Sequence, residues 1–359
     1  MEKELPYAIY DIRFEPFKDR HEICIKILND TYGIKVSDLD VSPIDTLINI
    51  YHSLIPKKER RVVESIDFSC PEEVKNGYAQ LKFKISKGFD LNPHLSKQIF
   101  NPKLNDGMHL DFGLYHLHLG VELEKDKKGN IFSKRSGPIL VAYVADDAIY
   151  CVGIFEHSSQ LWSSSKLIEV IDREWPYLIE SKKLTCVKDI SPIIEDKDRA
   201  ELRKIGLNTA VTLSNGVSYS WLGNGIAASG GSAMAGMYVA NANRLISILT
   251  PVFIKEIISR DDFKDLIPVY HGDISLKLVC LPNERMTAVD KKTGNIYHFD
   301  SVLRRFIFIC PTYLPKYAIY HMGVELLLMP IIINALLKTN QGNSIGAYLN
   351  YPSIYIIPK

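Results

Sequence analysis

The chain has 359 residues, 46% of them hydrophobic and 24% charged, with a formal net charge of +1 at pH 7. That is a globular composition, long enough for a sizeable core and for two domains. The near-neutral balance excludes a global basic field that would advertise nucleic acid or a membrane, although a local patch can still serve a small site.

In chain order, "MEKELPYAIYDIRFEPF" is too charged for the apolar core of a signal peptide. The stretch "KDRHEICIKILNDTYGI" has apolar positions at helical spacing and closes at Gly33. In "SPIDTLINIYHSLI", Ser42 is an N-cap, Pro43 occupies the first helical position and Asp45 sits in capping-box register. The basic cluster Lys57, Lys58, Arg60 and Arg61 reads as a solvated helix face, with a grip on RNA phosphates as the minor alternative. "CPEEVKNGYAQLKFKISKG" is a further helix, with Pro71 early and Gly88 at its end. "FDLNPHLSKQIFNPKLNDG" is irregular.

From His109 the period changes to two. "HLDFGLYHLHLGVEL" alternates, with Tyr115, Leu117 and Leu119 on one side and His116 and His118 on the other. "EKDKKGN" is a charged hairpin turn, and "GPILVAYV" and "AIYCVGIFEH" are strands joined at Asp146-Asp147. "SSSKLIEVIDREW" is a Ser-capped helix that stops before Pro176. A domain boundary is expected at residues 183–195. Beyond it come a hairpin with Asn215-Gly216 at the turn and a glycine-rich start to a helix of small residues. The last hundred residues mix apolar helices ("VFIKEII", "GVELLLMPIIINALL") with β-like runs ("SLKLVCL", "YPSIYII"). The stretch Met322 to Leu337 contains Glu325 and Pro330 and falls short of the roughly 20 residues that span a bilayer, so a buried helix is expected.

The six cysteines are scattered, without a CxxC pair, which points to reduced thiols in a cytoplasmic protein. Gly223, Gly225 and Ala228 match GxGxxA, but no acidic residue follows at the distance a dinucleotide site needs, so a close-packed helix start is the better account.

The chemistry-bearing types gather around His116 and His118. Two imidazoles at i and i+2 on a strand can ligate one metal ion, with Glu122 or His157 completing the set. The run from His116 to Gly129 matches the spacing of a first cupin motif, but charged residues follow Glu122 and a second motif is absent. A histidine-triad hydrolase needs a third alternating histidine, where this chain has Gly120. The alternative is acid–base chemistry on RNA. Histidine suits both proton jobs because its pKa lies near neutrality, and arginine donates two bonds to a phosphate at once. His116, His118, Arg135, Ser136 and His157 supply these types on adjacent predicted strands. Plainer roles exist for each. His94 and His109 read as surface histidines, and Trp162 and Trp175 as core anchors. Arg135 could pair with Glu122 or Glu124, worth about 0–1 kcal/mol at a surface, and Ser136 before Gly-Pro is ordinary turn chemistry.

The order Arg135, the strand "ILVAYV", an acidic turn, the strand "AIYCVGIFEH" and then Trp162 resembles the core of RelE-type toxins. More broadly it resembles the barnase–EndoU–colicin–RelE-like ribonuclease group, metal-independent enzymes with a helix-then-sheet core. The set "GLYHLHLG", "RSG", "EHSSQLW" and "EWP" is similar to one found in phage and bacterial-defence proteins. The likeness covers roughly residues 80–180. RelE-type toxins are small and basic, which this chain is not. The resemblance implies a toxin or anti-phage ribonuclease acting on RNA with no cofactor and no metal, and an antitoxin or phage protein as partner.

The expectation is an α+β protein without a membrane segment. Residues 1–185 would form a helical lead-in and an antiparallel sheet with a RelE-like ribonuclease core, and residues 186–359 a second mixed α/β domain of unassigned role. The base and acid would come from His116, His118 and His157. Arg135 would stabilise the phosphorane, and Ser136 would donate to a phosphate oxygen. Two rivals stand beside this: a metal-dependent hydrolase using the HxH pair, and a non-enzymatic phage or defence interaction protein.

Overall fold

The computed structural model describes residues 12–101, 106–185 and 190–241, scattered positions up to 250, and the strands at 274–280, 286–290 and 296–298. The elements begin with β1 (Ile12–Phe14), α1 (Pro16–Tyr32), α2 (Pro43–Ser53), β2 (Arg61–Glu64), α3 (Lys75–Ser86) and α4 (Gly107–Phe112). Strands β3 (Leu114–His118), β4 (Leu123–Lys125), β5 (Ile131–Ser133), β6 (Ile139–Val144) and β7 (Ala148–Phe155) follow. Then come α5 (Lys166–Glu174), α6 (Asp196–Lys204), β8 (Val211–Thr212), β9 (Ser218–Tyr219), β10 (Ile274–Cys280), β11 (Met286–Asp290) and β12 (Ile296–His298). The protein is mixed α+β. Among the described residues no helix is long and apolar enough to cross a membrane.

Two units divide the chain. One holds residues 1–33 and 238–359, the other residues 34–237. In the first, β1 pairs parallel with β10, and β10, β11 and β12 are antiparallel neighbours. Helix α1 closes on Gly33 at φ 63°, a left-handed cap that glycine adopts without a Cβ penalty. The expected helices at "VFIKEII" and "GVELLLMPIIINALL" and the expected strand at "YPSIYII" lie outside the described residues.

The second unit is built on a mixed sheet of order β2-β7-β6-β3. Strands β3, β6 and β7 run antiparallel, and β2 adds to β7 in parallel. Both faces are covered. Met108, Leu114, Ile139, Val141, Val152, Ile168 and Ile171 form one apolar layer under α5. Tyr78, Leu81, Ile85, Leu117, Leu140 and Cys151 form the other under α3. Gly77 lets α3 approach closely, since a Cβ there would stand 1.6 Å from the Leu119 carbonyl oxygen at the end of β3.

Local signals fixed many element ends. Ser42 Oγ accepts from Asp45 N at 3.3 Å and starts α2. The Asp146-Asp147 turn joins β6 to β7, and Gly216, at φ 83°, closes the β8–β9 hairpin. Three expectations need correction. The basic cluster is not a helix face: Arg61 opens β2, and buried Arg60 donates to the carbonyls of Ala145 and Pro56. Lys57 pairs with Asp90, and Lys58 and Arg61 pair with Asp146 and Asp147 of the acidic turn. The alternation from His109 is helix as far as Phe112, capped by Asp106 and ended by Gly113, and strand begins at Leu114 and runs to His118.

The third correction concerns the boundary. Residues 183–195 do not separate two cores, and the units divide instead at 33/34 and 237/238. Val211, Leu213, Tyr219 and Leu222 share one apolar cluster with Ile139 and Ile168. Leu184 N donates to Ser218 O at 2.9 Å, and Ser214 N donates to Glu169 of α5 at 3.0 Å. Residues 191–193 are exposed, and from residue 211 the chain covers the same sheet face as Ile168.

Candidate functional site

Register brings the histidines together. His118 pairs with Ile139, and Ile139 pairs with Phe155, so β7 ends level with His118 and the chain carries His157 past it two residues later. Strand alternation puts His116 and His118 on the Leu114 face, and Tyr115 and Leu117 on the other. The ring centroids of His116 and His118 are 5.8 Å apart, those of His118 and His157 6.1 Å, and those of His116 and His157 6.4 Å. Trp162 packs edge-on against His116 at 4.6 Å and against His157 at 5.0 Å.

Each ring has a different setting. His116 is 7% exposed, and its Nδ1 lies 2.9 Å from Asp106 Oδ2. The other oxygen of Asp106 accepts from Met108 N and His109 N, so one carboxylate both caps α4 and orients His116. Burial pushes the Asp106 carboxyl up, but the contact with His116 and the charges of His116 and His109 outweigh it and hold the group below its ordinary value. His118 is buried. Burial first, and then the neighbouring His116, Arg135 and His157, push its pKa down to about 4. His157 is exposed.

Behind this group, His94 is buried and its Nδ1 contacts the His118 carbonyl oxygen at 2.8 Å. Its Nε2 meets Lys84 Nζ at 2.9 Å, and burial pushes the His94 pKa down to about 4. His109 is also buried, packed against Tyr115 with the rings tilted by 49° and centroids 4.3 Å apart. Neither is the surface histidine expected from the sequence.

Arg135 is exposed and shares a cleft of about 1340 Å³ with His116, His157, Trp162 and Asp106. It pairs with neither Glu122 nor Glu124, which are taken by Lys134 and Lys97. Gly120 makes its position reachable: a Cβ there would stand 1.8 Å from the Lys134 carbonyl oxygen. Ser136 is half-buried, its Oγ lies buried without a hydrogen-bond partner, and it is not part of the cleft wall. Its expected donation to a phosphate oxygen therefore has no geometric support. Trp175 is a core anchor as expected.

Residue types alone did not reveal Asp106 or Arg203. Arg203, on α6, pairs with buried Asp111 at 2.6 Å, lies over the Phe112 ring at 4.6 Å and donates through Nη1 to the Trp162 carbonyl. It thus ties the segment carrying Trp162 to α4. The Asp106 signal was present as an Asp before Gly-Met-His, an N-cap pattern. Arg203 lies 92 residues from Asp111, and no local pattern announces it.

No family model, curated protein or solved structure matches this chain.

Among the described residues, no three His, Cys, Asp or Glu side chains are placed to hold one metal ion. Glu122, one of the two residues expected to complete a metal set (the other being His157), is exposed and bound to Lys134. The arrangement can instead hold and move protons. One imidazole meets a carboxylate, another is open to solvent, and a guanidinium with no ion pair among the described residues stands on the same wall.

Proposed function

We propose that this cleft cleaves the phosphodiester backbone of RNA without a metal ion, by attack of the ribose 2′-hydroxyl. The observation that carries the reading is the gathering of His116 and His157 with Arg135 on one cleft wall.

His116 is the general base. With Nδ1 engaged by Asp106, its Nε2 takes the proton of the 2′-hydroxyl as the O2′–P bond forms. Arg135 donates to the phosphorane oxygens, where a planar fork matches the developing charge. His157, as imidazolium, gives its proton to O5′ as the P–O5′ bond breaks. The products are a 2′,3′-cyclic phosphate and a 5′-hydroxyl, and water restores the two protonation states. His118, buried and held neutral, packs behind the pair and positions it. The resemblance of residues 80–180 to the RelE-like group points the same way, and a toxin or anti-phage role belongs to this proposal.

The test is the chemistry of the ends. Labelled RNA incubated with the purified protein should yield 2′,3′-cyclic phosphate and 5′-hydroxyl termini, and an all-deoxy strand of the same sequence should stay intact. Cleavage of the deoxy strand, or 5′-phosphate products, would contradict the mechanism.

A further inference from the structure

The wall of the cleft divides by charge. The part built by α5 and α6 carries Lys166, Lys197, Glu201 and Arg203. The part built by α2 and residues 224–232 carries no Asp, Glu, Lys or Arg side chain among the described residues. Its lining includes Asn49, Ile50, Ser53, Asn224, Ile226 and Ser232, amides and hydroxyls set among aliphatic side chains. That part offers a phosphate neither lysine nor arginine. A flat apolar ring with hydrogen-bonding groups on its edge matches it better.

The glycine-rich run shapes this neutral part. Leu222 N and Gly223 N donate to the Asp111 carbonyl, and Gly225 N donates to the Leu110 carbonyl, which lays the run against α4. A Cβ at Gly223 would stand 2.2 Å from the His109 carbonyl oxygen, so glycine alone permits the approach. Asn224 is thereby set against His109, with Nδ2 at 3.4 Å from Nε2. Residues 232–234 tie two amides to one short segment. Met234 N donates to the Asn224 backbone carbonyl at 3.0 Å, and Ser232 N donates to Asn49 Oδ1 at 3.2 Å. Asn224 Oδ1 and Asn49 Nδ2 have no hydrogen-bond partner among the described residues, and neither atom is sealed from solvent. One acceptor and one donor thus stand open on the neutral wall.

A short path of contacts leads from this wall to the general base. Asn224 meets His109, His109 N donates to Asp106 at 3.2 Å, and Asp106 meets His116 at 2.9 Å. His116 takes the 2′-hydroxyl proton in the mechanism above, so the nucleoside bearing that hydroxyl lies toward the neutral wall. We infer that this wall is a base subsite, and that Asn224 selects the base on the 5′ side of the scissile phosphate. Asn224 Oδ1 accepts from the hydrogen-bonding edge of the base, and Asn49 Nδ2 donates to it. The inference rests on the RNA reading above and deepens it: the cleft cuts after one kind of base.

The test varies one base at a time. Four oligothymidylates each carry a single ribonucleotide, A, C, G or U, so each has one susceptible linkage. The full chain should favour one of the four in kcat/KM by about 5–150-fold, the worth of one two-bond base contact. In Asn224→Ala that ratio should fall by about 2–12-fold, the worth of one hydrogen bond between uncharged groups. The thermal unfolding midpoint verifies that the variant folds. Methylating the edge nitrogen of the favoured base probes the same contact in wild type, and should remove the preference. Fluorescent 2′-O-methyl counterparts of the four substrates cannot be cleaved, and their affinities, read by anisotropy, separate this inference from the catalytic one. Base-dependent affinity that Asn224→Ala flattens, with no substrate cut, would keep the base subsite and remove the catalytic reading. Equal kcat/KM and equal affinity for all four, or a preference that Asn224→Ala leaves unchanged, would overturn the subsite.

Discussion

Asp106 and His116 are joined at 2.9 Å between Oδ2 and Nδ1, and the same carboxylate caps the helix that leads into the histidine strand. Helix start and imidazole orientation thus depend on one side chain. Asp106→Asn keeps a good N-cap but removes the charge facing His116. It should lower the cleavage rate by about 10–100-fold, in line with the loss of a carboxylate that orients a functional histidine, and leave the unfolding midpoint nearly unchanged. Kinetics and thermal unfolding of one preparation check this. A rate equal to wild type would remove Asp106 from the site.

The three imidazoles should not be equivalent. His116→Ala and His157→Ala should each lose the roughly 10²–10⁴-fold that a general base or acid contributes. His118→Gln should lose much less, because His118 is held neutral by burial and sits behind the other two. Single-turnover rates of the three variants give the comparison, and a loss for His118→Gln equal to the others would contradict the assignment.

His118 also makes stability depend on pH, with a definite sign. An imidazole in the unfolded chain titrates near 6.5, whereas in the folded protein His118 titrates at about 4. Between those values the unfolded state binds more protons, so stability falls as pH falls through the window and levels off below about 4. Its share of the slope is at most about 1.4 kcal/mol per pH unit. Urea unfolding at several pH values from neutral to acid should give a shallower slope for His118→Gln than for wild type. Identical slopes would mean that His118 is not held neutral.

Arg203 should matter more for stability than an exposed arginine would. Arg203→Ala strands buried Asp111 without its partner, which should cost about 3–5 kcal/mol in urea unfolding. It also frees the Trp162 carbonyl, so Trp162 fluorescence should change in the folded variant. A cost under about 1 kcal/mol, the range of exposed pairs, would show the pair to be solvated.

What could be read from the sequence follows from how local each signal is. The Asn215-Gly216 and Asp146-Asp147 turns and the Ser42 cap were legible because turn and cap chemistry is written in adjacent residues. The parallel pairing of β2 with β7 was not, since Arg61 meets Ala148 far along the chain. At 109–112 a two-residue alternation competed with cap signals from Asp106 and Gly113, and the caps won. Hydrophobic sequence at 211–222 gave no sign that it would cover the same sheet face as Ile168. For the site, His116, His118, His157 and Arg135 were legible by type and by strand order. Asp106 acts across a turn and Arg203 across a sheet face, so neither could be assigned before the fold was known.

The central claim is that His116, His157 and Arg135 together cleave RNA without a metal ion. Cleavage of a short RNA with one susceptible linkage, in excess EDTA, tests it most directly when wild type, His116→Ala, His157→Ala and Arg135→Lys are compared. The account predicts full wild-type cleavage in EDTA, little or none for the two histidine variants, and partial activity for Arg135→Lys, which keeps charge but loses the fork. Wild-type cleavage that EDTA abolishes and one divalent metal restores, or cleavage untouched by all three substitutions, would contradict it.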